Sequence, residues 1–402
     1  RAARHRRRGA RRVTSPGMAL ASLYVHVPFC PSVCPYCDFH KMLRHEGLAR
    51  RYVDALAREL AALGERHGGP LDTLYLGGGT PSHLRDDELE RVFAALRDAF
   101  GGPGRLETTL EADPLTFDAD RLTRFADLGV TRLSIGLQST QDSVLAFLGR
   151  LHDGAQGLEA VATALAAGLR VNVDVMTAIA GQDLELDLRR VLDLGAKHVS
   201  VYSLTVEPHT PFALRGVTVD EDLDAASFDL AASVLAARGL RRYEVSNHAV
   251  PGEESLHNLV YWRGGHYLGA GPSAASHLPG GDGFGVRLRN PPLKGWLAGE
   301  PPEVDVLTAD DVVLERLMTG LRTLEGVDLA AVEAASGVAV EASAERWLAD
   351  CLSHGLLALE GRRLRATEAG VARLDAVLRA FVATRGTPGG ADRTSATTAR
   401  QA

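Results

Sequence analysis

Three cysteines stand close together near the start of the chain, in Tyr24-Val-His-Val-Pro-Phe-Cys30-Pro-Ser-Val-Cys34-Pro-Tyr-Cys37-Asp-Phe39, with the spacing C-x3-C-x2-C. The fourth cysteine, Cys351, lies far along the chain. Three thiolates do not close a four-coordinate site, so one position is left for a ligand that is not protein. A cubane iron–sulfur cluster takes one ligand per iron, usually a thiolate, and the loop therefore suits a [4Fe–4S] cluster with one iron open. A zinc loop and three buried thiols are the plainer readings of the same residues. Two prolines and a tyrosine among the cysteines argue against the buried thiols.

The elements that must hold this loop can be read from periodicity. Short β-branched runs occur at Leu23–Val27, Thr73–Leu76, Glu107–Glu111, Arg132–Leu137, Val171–Val175 and Val199–Leu204. Amphipathic segments lie between them at 48–66, 86–99, 118–128, 141–148, 155–168 and 184–194. Such alternation calls for a parallel sheet with helices outside. The fold class is α/β, a partial (β/α)6 TIM-like barrel, in which chemistry belongs at the C-terminal ends of the strands. Polar residues stand at those ends. Gly77-Gly78-Gly79-Thr80-Pro81 follows the second strand, where glycines allow close backbone approach to a ligand or merely a tight turn. Glu111-Ala-Asp-Pro114 closes the third strand and Ser134-Ile-Gly-Leu-Gln138-Ser139 the fourth. Arg150 and His152 open the next segment, and Asp174 ends the fifth strand. Each has a bland explanation as a solvated strand end, but five in succession do not.

The cysteine spacing resembles that of the radical S-adenosylmethionine (SAM) superfamily. The resemblance implies that the amine and carboxylate of SAM occupy the fourth iron. Tyr24, Gly79, Thr80, Glu111, Gln138, Arg150 and Asp174 fall where the related oxygen-independent coproporphyrinogen III oxidase-like family places SAM contacts. The guanidinium of Arg150 suits the SAM carboxylate by charge and fork geometry. In the second half, His257-Asn-Leu-Val-Tyr-Trp262 and Tyr267-Leu-Gly-Ala-Gly-Pro-Ser273 resemble the heme chaperone HemW branch of that family. This implies heme as a third ligand, with His257 as its axial ligand beside Tyr261 and Trp262, and acceptor hemoproteins as partners. Asp38-Phe39 after Cys37, in place of Gly-Cys, and the short stretch between Met18 and Phe29 favour the same branch. The other branch is the dehydrogenase itself, which decarboxylates coproporphyrinogen III oxidatively to protoporphyrinogen IX. The chain departs from the family at Ala178 and Ala180, which stand for a glycine and a proline, and at Ala275, which stands for a histidine, with His277 two residues on.

Composition narrows the partners. The net charge of −7 gives no bulk attraction to nucleic acid. Four cysteines in 402 residues are not a secreted disulfide framework, and no apolar run reaches membrane-span length. A reducing, cytoplasmic location is expected. Dimerisation and peripheral membrane association stay open. Residues 1–17, with seven arginines and no acid, are expected to be a disordered basic tail ahead of the natural start at Met18. The barrel is expected over 18–245 and a connecting region carrying the HNLVYW motif over 246–305. A small winged-helix-like α+β domain should follow over 306–383, covering or supporting rather than binding DNA, and a disordered tail over 384–402.

Overall fold

The computed structural model describes residues 21–281 and 283–384. The expected basic tail at 1–17, Met18 and nearly all of the expected C-terminal tail lie outside the described residues. The β-branched runs form six parallel strands: β1 (Ser22–Val27), β2 (Thr73–Gly78), β3 (Glu107–Ala112), β4 (Arg132–Gln138), β5 (Arg170–Thr177) and β6 (His198–Ser203). They lie side by side in chain order. Helices α1 (Glu46–His67), α2 (Asp86–Phe100), α3 (Ala119–Leu128), α4 (Asp142–Phe147), α5 (Gly154–Ala166) and α6 (Leu184–Asp193) connect them. Local chemistry sets the helix ends. Asp118, Asp153 and Asp183 each accept a backbone N–H of the first turn of α3, α5 and α6, and Gly129 closes α3 in the left-handed region that glycine adopts without strain.

The sheet divides by strand parity. One set of side chains, including Leu23, Val25, Leu74, Leu76, Leu110, Leu133, Ile135, Val173 and Val199, is fully buried in one core with the apolar stripes of the helices. The other set is polar and bonds across neighbouring strands. Ser134, Asn172, Asp174 and Ser200 are linked in this way, as are Glu107 and Arg132. The inner face is thus a hydrogen-bonded lining rather than an apolar core.

The sheet does not stop where the sequence suggests. After α7 (Glu221–Ala237), two short strands, β7 (Arg241–Arg242) and β8 (Asn247–Ala249), add antiparallel beyond β6. After α8 (Leu256–Trp262), β9 (Leu268–Ala270) returns to the opposite edge and pairs parallel with β1, Tyr24 facing Gly269. The expected boundary at 245/246 is therefore crossed by the sheet itself, whose order is β9-β1-β2-β3-β4-β5-β6-β8-β7. The HNLVYW and YLGAGPSA segments are barrel parts, not a connector. Beyond them lie a three-stranded antiparallel sheet, β10 (Ala275–Leu278), β11 (Val286–Arg289) and β12 (Glu303–Val306), and a C-terminal unit with its own core around Leu317, Leu329, Trp347 and Phe381. That unit holds α10 (Ala309–Gly320), the two-residue strand β13 (Val327–Asp328), α11 (Leu329–Ser336), α12 (Glu345–Ser353) and the hairpin β14 (Leu357–Glu360) and β15 (Arg363–Ala366), β13 pairing with β15, while α9 (Leu293–Ala298) lies between β11 and β12.

Candidate functional site

The cysteine loop leaves the C-terminal end of β1 and is held from three sides. Gly79 N–H donates to Val27 O at 2.7 Å and Thr80 N–H to Phe29 O at 2.8 Å, which seats the glycine turn against the residue before Cys30. A Cβ on Gly79 would lie 2.8–2.9 Å from backbone atoms of Val27 and Phe29, so only glycine allows this approach. Gly78 has φ +107°, and a Cβ there would strike the His26 ring. Phe212 N–H donates to Pro35 O at 3.0 Å from the loop after β6. Arg150 closes the third side: Nη1 donates to Cys34 Sγ at 3.5 Å, and Nη2 donates to Asp113 Oδ2 at 2.7 Å and Gly136 O at 2.8 Å.

The three thiols are free of disulfides. Burial pushes Cys30 up to about 11 against a hydrogen bond from Thr80, and burial also raises Cys37 against the Lys41 ammonium. Cys30 and Cys37 of the metal-free chain are therefore protonated at neutral pH, and metal uptake there releases protons. Among the described residues no three His, Cys, Asp or Glu side chains converge on one point as ligands of a single ion do. A cubane spreads its thiolates over different irons. Three soft donors on one loop, with Arg150 and Lys41 beside them, fit such a cluster and do not form a preformed zinc site.

Glu111 and Asp174 line the same end of the inner face. Glu111 accepts from Tyr75 O–H and Gly78 N–H, both at 2.8 Å. Burial nevertheless pushes it up to about 7, and Asp174 adds to the effect. Asp174 accepts from Ser134 and Asn172 and is pushed up to about 6 by burial. Gln138 ends β4 at a register shift with φ +68°. This is a sparsely populated conformation for a residue with a side chain, and such residues persist where surrounding structure over-determines them. The following turn is fixed by Asp187, fully buried, which accepts from Ser139 Oγ, Thr140 N and Oγ1, and Gln182 Nε2.

His257 lies at the opposite end. Its Nδ1 meets Thr73 Oγ1 at 2.8 Å, at the N-terminal start of β2. That hydroxyl donates to Ser22 Oγ at 3.0 Å, so His257 Nδ1 carries the proton and Nε2 accepts from Tyr261 O–H at 2.7 Å. The backbone N–H of His257 and the Ser255 hydroxyl donate to Glu107, which also takes the Arg132 guanidinium at 2.9 Å. Helix α8 thus plugs the N-terminal mouth of the barrel. Its histidine is fully buried, has no lone pair free for iron, and burial pushes it down to about 3. An axial role for His257 would require one of these two ring bonds to open. In barrels of this kind, the N-terminal face serves stability. His277 is likewise occupied, its Nδ1 at 3.0 Å from Gly265 O.

Residues 24–194 match the radical SAM superfamily and residues 307–373 the HemN C-terminal domain. The heme chaperone HemW of Escherichia coli (strain K12) is 34% identical over 360 residues, covering 85% of this chain and 95% of that protein. HemW of Lactococcus lactis is 32% identical over 363 residues, with 87% and 94% covered. HemW of Mycobacterium tuberculosis (strain H37Rv) is 34% identical over 376 residues, with 90% and 94% covered.

The chain belongs to the HemW family of radical SAM proteins.

The solved structure of coproporphyrinogen III oxidase (HemN) from Escherichia coli, described as a radical SAM enzyme, superimposes with a TM-score of 0.77 over 92% of this chain and 91% of that one, at 22% identity, which establishes the shared fold. The cofactors of the superfamily are a [4Fe–4S] cluster and SAM. Of the residues expected from sequence, Cys30, Cys34, Cys37, Gly79, Thr80, Glu111, Gln138 and Arg150 stand at or beyond the C-terminal ends of the strands, whereas Asp174 lies inside β5, three residues before its end. Tyr24 lies deeper in β1, its hydroxyl 3.0 Å from His26 Nδ1. Asp113, Asp187 and His26 complete the frame. Asp113 was visible in sequence as part of Glu111-Ala-Asp-Pro114, but its partner 37 residues away was not.

Proposed function

We propose that this protein is a heme chaperone that binds a [4Fe–4S] cluster through Cys30, Cys34 and Cys37, binds SAM across the C-terminal mouth of the barrel, and hands heme to acceptor hemoproteins. The similarity over nearly the full length to proteins named as heme chaperones carries the reading. Tyr24, Gly79, Thr80, Glu111, Gln138, Arg150 and Asp174 are the proposed SAM contacts. Together, the bound cluster and SAM would supply one-electron chemistry at the sulfonium. The chain's own residues bind and orient. Thr80 and Arg150 hydrogen-bond Cys30 and Cys34 and fix two sulfurs of the loop. The turn at Gly77–Gly79, whose Gly78 and Gly79 N–H groups are taken by Glu111 and Val27, would offer backbone carbonyls to an amine. Glu111 and Asp174, near neutrality, offer acceptors to amine or ribose hydroxyls without placing two full charges side by side. Arg150, anchored by Asp113, keeps one fixed positive charge beside the cysteines.

Three measurements on the anaerobically reconstituted chain test this. Iron analysis is expected to give about four irons per chain, one per ligand site of the cubane, and far fewer in Cys34→Ser. Hemin is expected to give a Soret band and to pass to an apo-hemoprotein. Coproporphyrinogen III with SAM and a reductant is expected to remain intact. Its decarboxylation would overturn the chaperone reading in favour of the dehydrogenase.

A further inference from the structure

Two loops at the C-terminal mouth are tied together by one buried carboxylate. Asp187 lies on the apolar stripe of α6 with Leu184, Leu188 and Val191, and it is fully buried. A carboxylate there is costly unless its oxygens are hydrogen-bonded, and four donors meet it. Ser139 Oγ and Gln182 Nε2 donate to Oδ2 at 2.8 and 3.0 Å. Thr140 donates to Oδ1 from its N–H at 2.8 Å and from Oγ1 at 2.6 Å. Ser139 and Thr140 follow β4. Gln182 belongs to the loop after β5, where its Nε2 also donates to Met176 O at 2.7 Å. A second tie lies outside the first: Gln141 Nε2 donates to Asp183 O at 2.9 Å, and Asp183 N–H donates back to Gln141 Oε1 at 3.0 Å.

The clamp holds strained backbone on both loops. Among the described residues only Gln138, Ala178, His209 and Ser273 combine a side chain with a positive φ. Gln138, at +68°, immediately precedes Ser139, and Ala178, at +62°, opens the loop that carries Gln182. Such conformations persist where the surroundings over-determine them, and they gather at functional sites. At Gln138 the strain has a use. The side chain folds over Gly136, where an added Cβ would lie 3.0 Å from Gln138 Nε2 and 3.5 Å from Arg150 Nη2. The amide thus stands beside the guanidinium, and it has no hydrogen-bond partner among the described residues. An unbonded amide next to a fixed cation is placed to meet a ligand.

We infer that Asp187 is a positioning residue for SAM. By clamping the loops after β4 and β5 it holds Gln138 in the left-handed region and aims its amide, beside Arg150, into the mouth. The inference rests on the proposed SAM contacts and adds the residue that orders one of them. Asp187 itself, walled in by its four donors, acts through Gln138. The same clamp restrains the loop in which Ala178 and Ala180 replace the glycine and proline of the family, and so supplies the stiffness a proline would give.

Equilibrium dialysis of SAM against the full chain, carrying its reconstituted cluster, tests it. Gln138→Ala is expected to weaken SAM binding about tenfold, the loss of one hydrogen bond. Asp187→Asn keeps the side-chain shape and removes the charge, and is expected to weaken SAM by the same factor with iron content and circular dichroism unchanged. The double variant is expected to bind no more weakly than Gln138→Ala alone, because a clamp acting through Gln138 then has nothing to aim. A carboxylate that merely stabilised the loops would instead add its own loss. Gln182→Met, at a half-exposed position, cuts the tie between the loops and is expected to weaken SAM about threefold; it decides the matter if Asp187→Asn does not fold. Wild-type SAM affinity in folded, iron-loaded Asp187→Asn or Gln182→Met would overturn the clamp, as would additive losses in the double variant. With Gln138→Ala still weakened, these results leave the SAM contacts standing. Wild-type affinity in Gln138→Ala would remove Gln138 from the SAM contacts, and the inference with it.

Discussion

At the scale of single residues, backbone and burial decide what a side chain can do. Ala178 stands where the family has glycine and is held at φ +62°. For a residue with a Cβ this conformation costs about 1–2 kcal/mol, partly offset by the freedom glycine loses on folding. Ala178→Gly is therefore expected to stabilise the protein by about 1 kcal/mol in urea unfolding, and an unchanged midpoint would contradict it. His257 illustrates the opposite case, a residue whose polar atoms are fully used. His257→Ala removes two buried hydrogen bonds and leaves a cavity beside Thr73 and Tyr261, and is expected to destabilise by about 3 kcal/mol. Iron loading at Cys30, Cys34 and Cys37 should survive, since the two sites lie at opposite ends of the strands.

At the scale of elements, the barrel is closed by pieces the sequence pattern does not advertise. Strand β9 is three residues long and reads as a loop because Leu268, Gly269 and Ala270 carry no β-branched run. It becomes a strand because β1 offers an unpaired parallel edge and Gly269 allows the chain at Ala275 to pass closely. A Cβ on Gly269 would sit 2.0 Å from Ala275 O. The turn that follows is pinned by Glu59 of α1, which accepts from Gly271 N–H at 2.7 Å, Asn290 at 2.7 Å and Trp296 at 3.1 Å. Gly269→Ala is expected to cost about 3 kcal/mol. The loss should appear as early hydrogen exchange at β1 and β9, with α10 to α12 unaffected; uniform exchange through both units would contradict a local role.

For the whole molecule, the polar lining sets the response to pH. Burial lowers His26 and His248 from 6.5 to about 4 and His257 to about 3. These groups are neutral in the fold and protonated when unfolded, so their stability is present above 6.5 and lost as pH falls through that range. Glu111 and Glu244 are raised by burial from 4.5 to about 7 and Asp174 from 3.8 to about 6. They bind protons in the fold, so their contribution is full below the unfolded values and is lost as pH rises towards 7. The windows overlap with opposite signs. Unfolding free energy of the metal-free chain is expected to be nearly flat between about pH 4.5 and 6.5, from the shifts just cited. In Glu111→Gln it should rise with pH across that window, and a curve parallel to wild type would refute the assignment. In the C-terminal unit Arg362 pairs with Glu333 and Glu341, both at 2.8 Å, and Arg365 with Glu360 at 3.1 Å.

The sequence by itself determined the local structure, because local structure is local chemistry. Apolar periods of two and 3.6 placed the six strands and their helices within a few residues. The cysteine spacing named the cluster loop, and polar residues at strand ends named the mouth. Tertiary structure alone decided which end of the barrel each motif serves. HNLVYW has the parts of a heme site, a histidine beside a tyrosine and a tryptophan, and nothing in its spacing shows that Thr73, 184 residues earlier, takes one ring nitrogen. Nor does sequence show that Glu107 draws the helix into the N-terminal mouth. A free imidazole and a satisfied one have the same letter. They differ only in the neighbours that folding brings, and here those neighbours make HNLVYW part of the plug at the N-terminal mouth, opposite the cysteine loop.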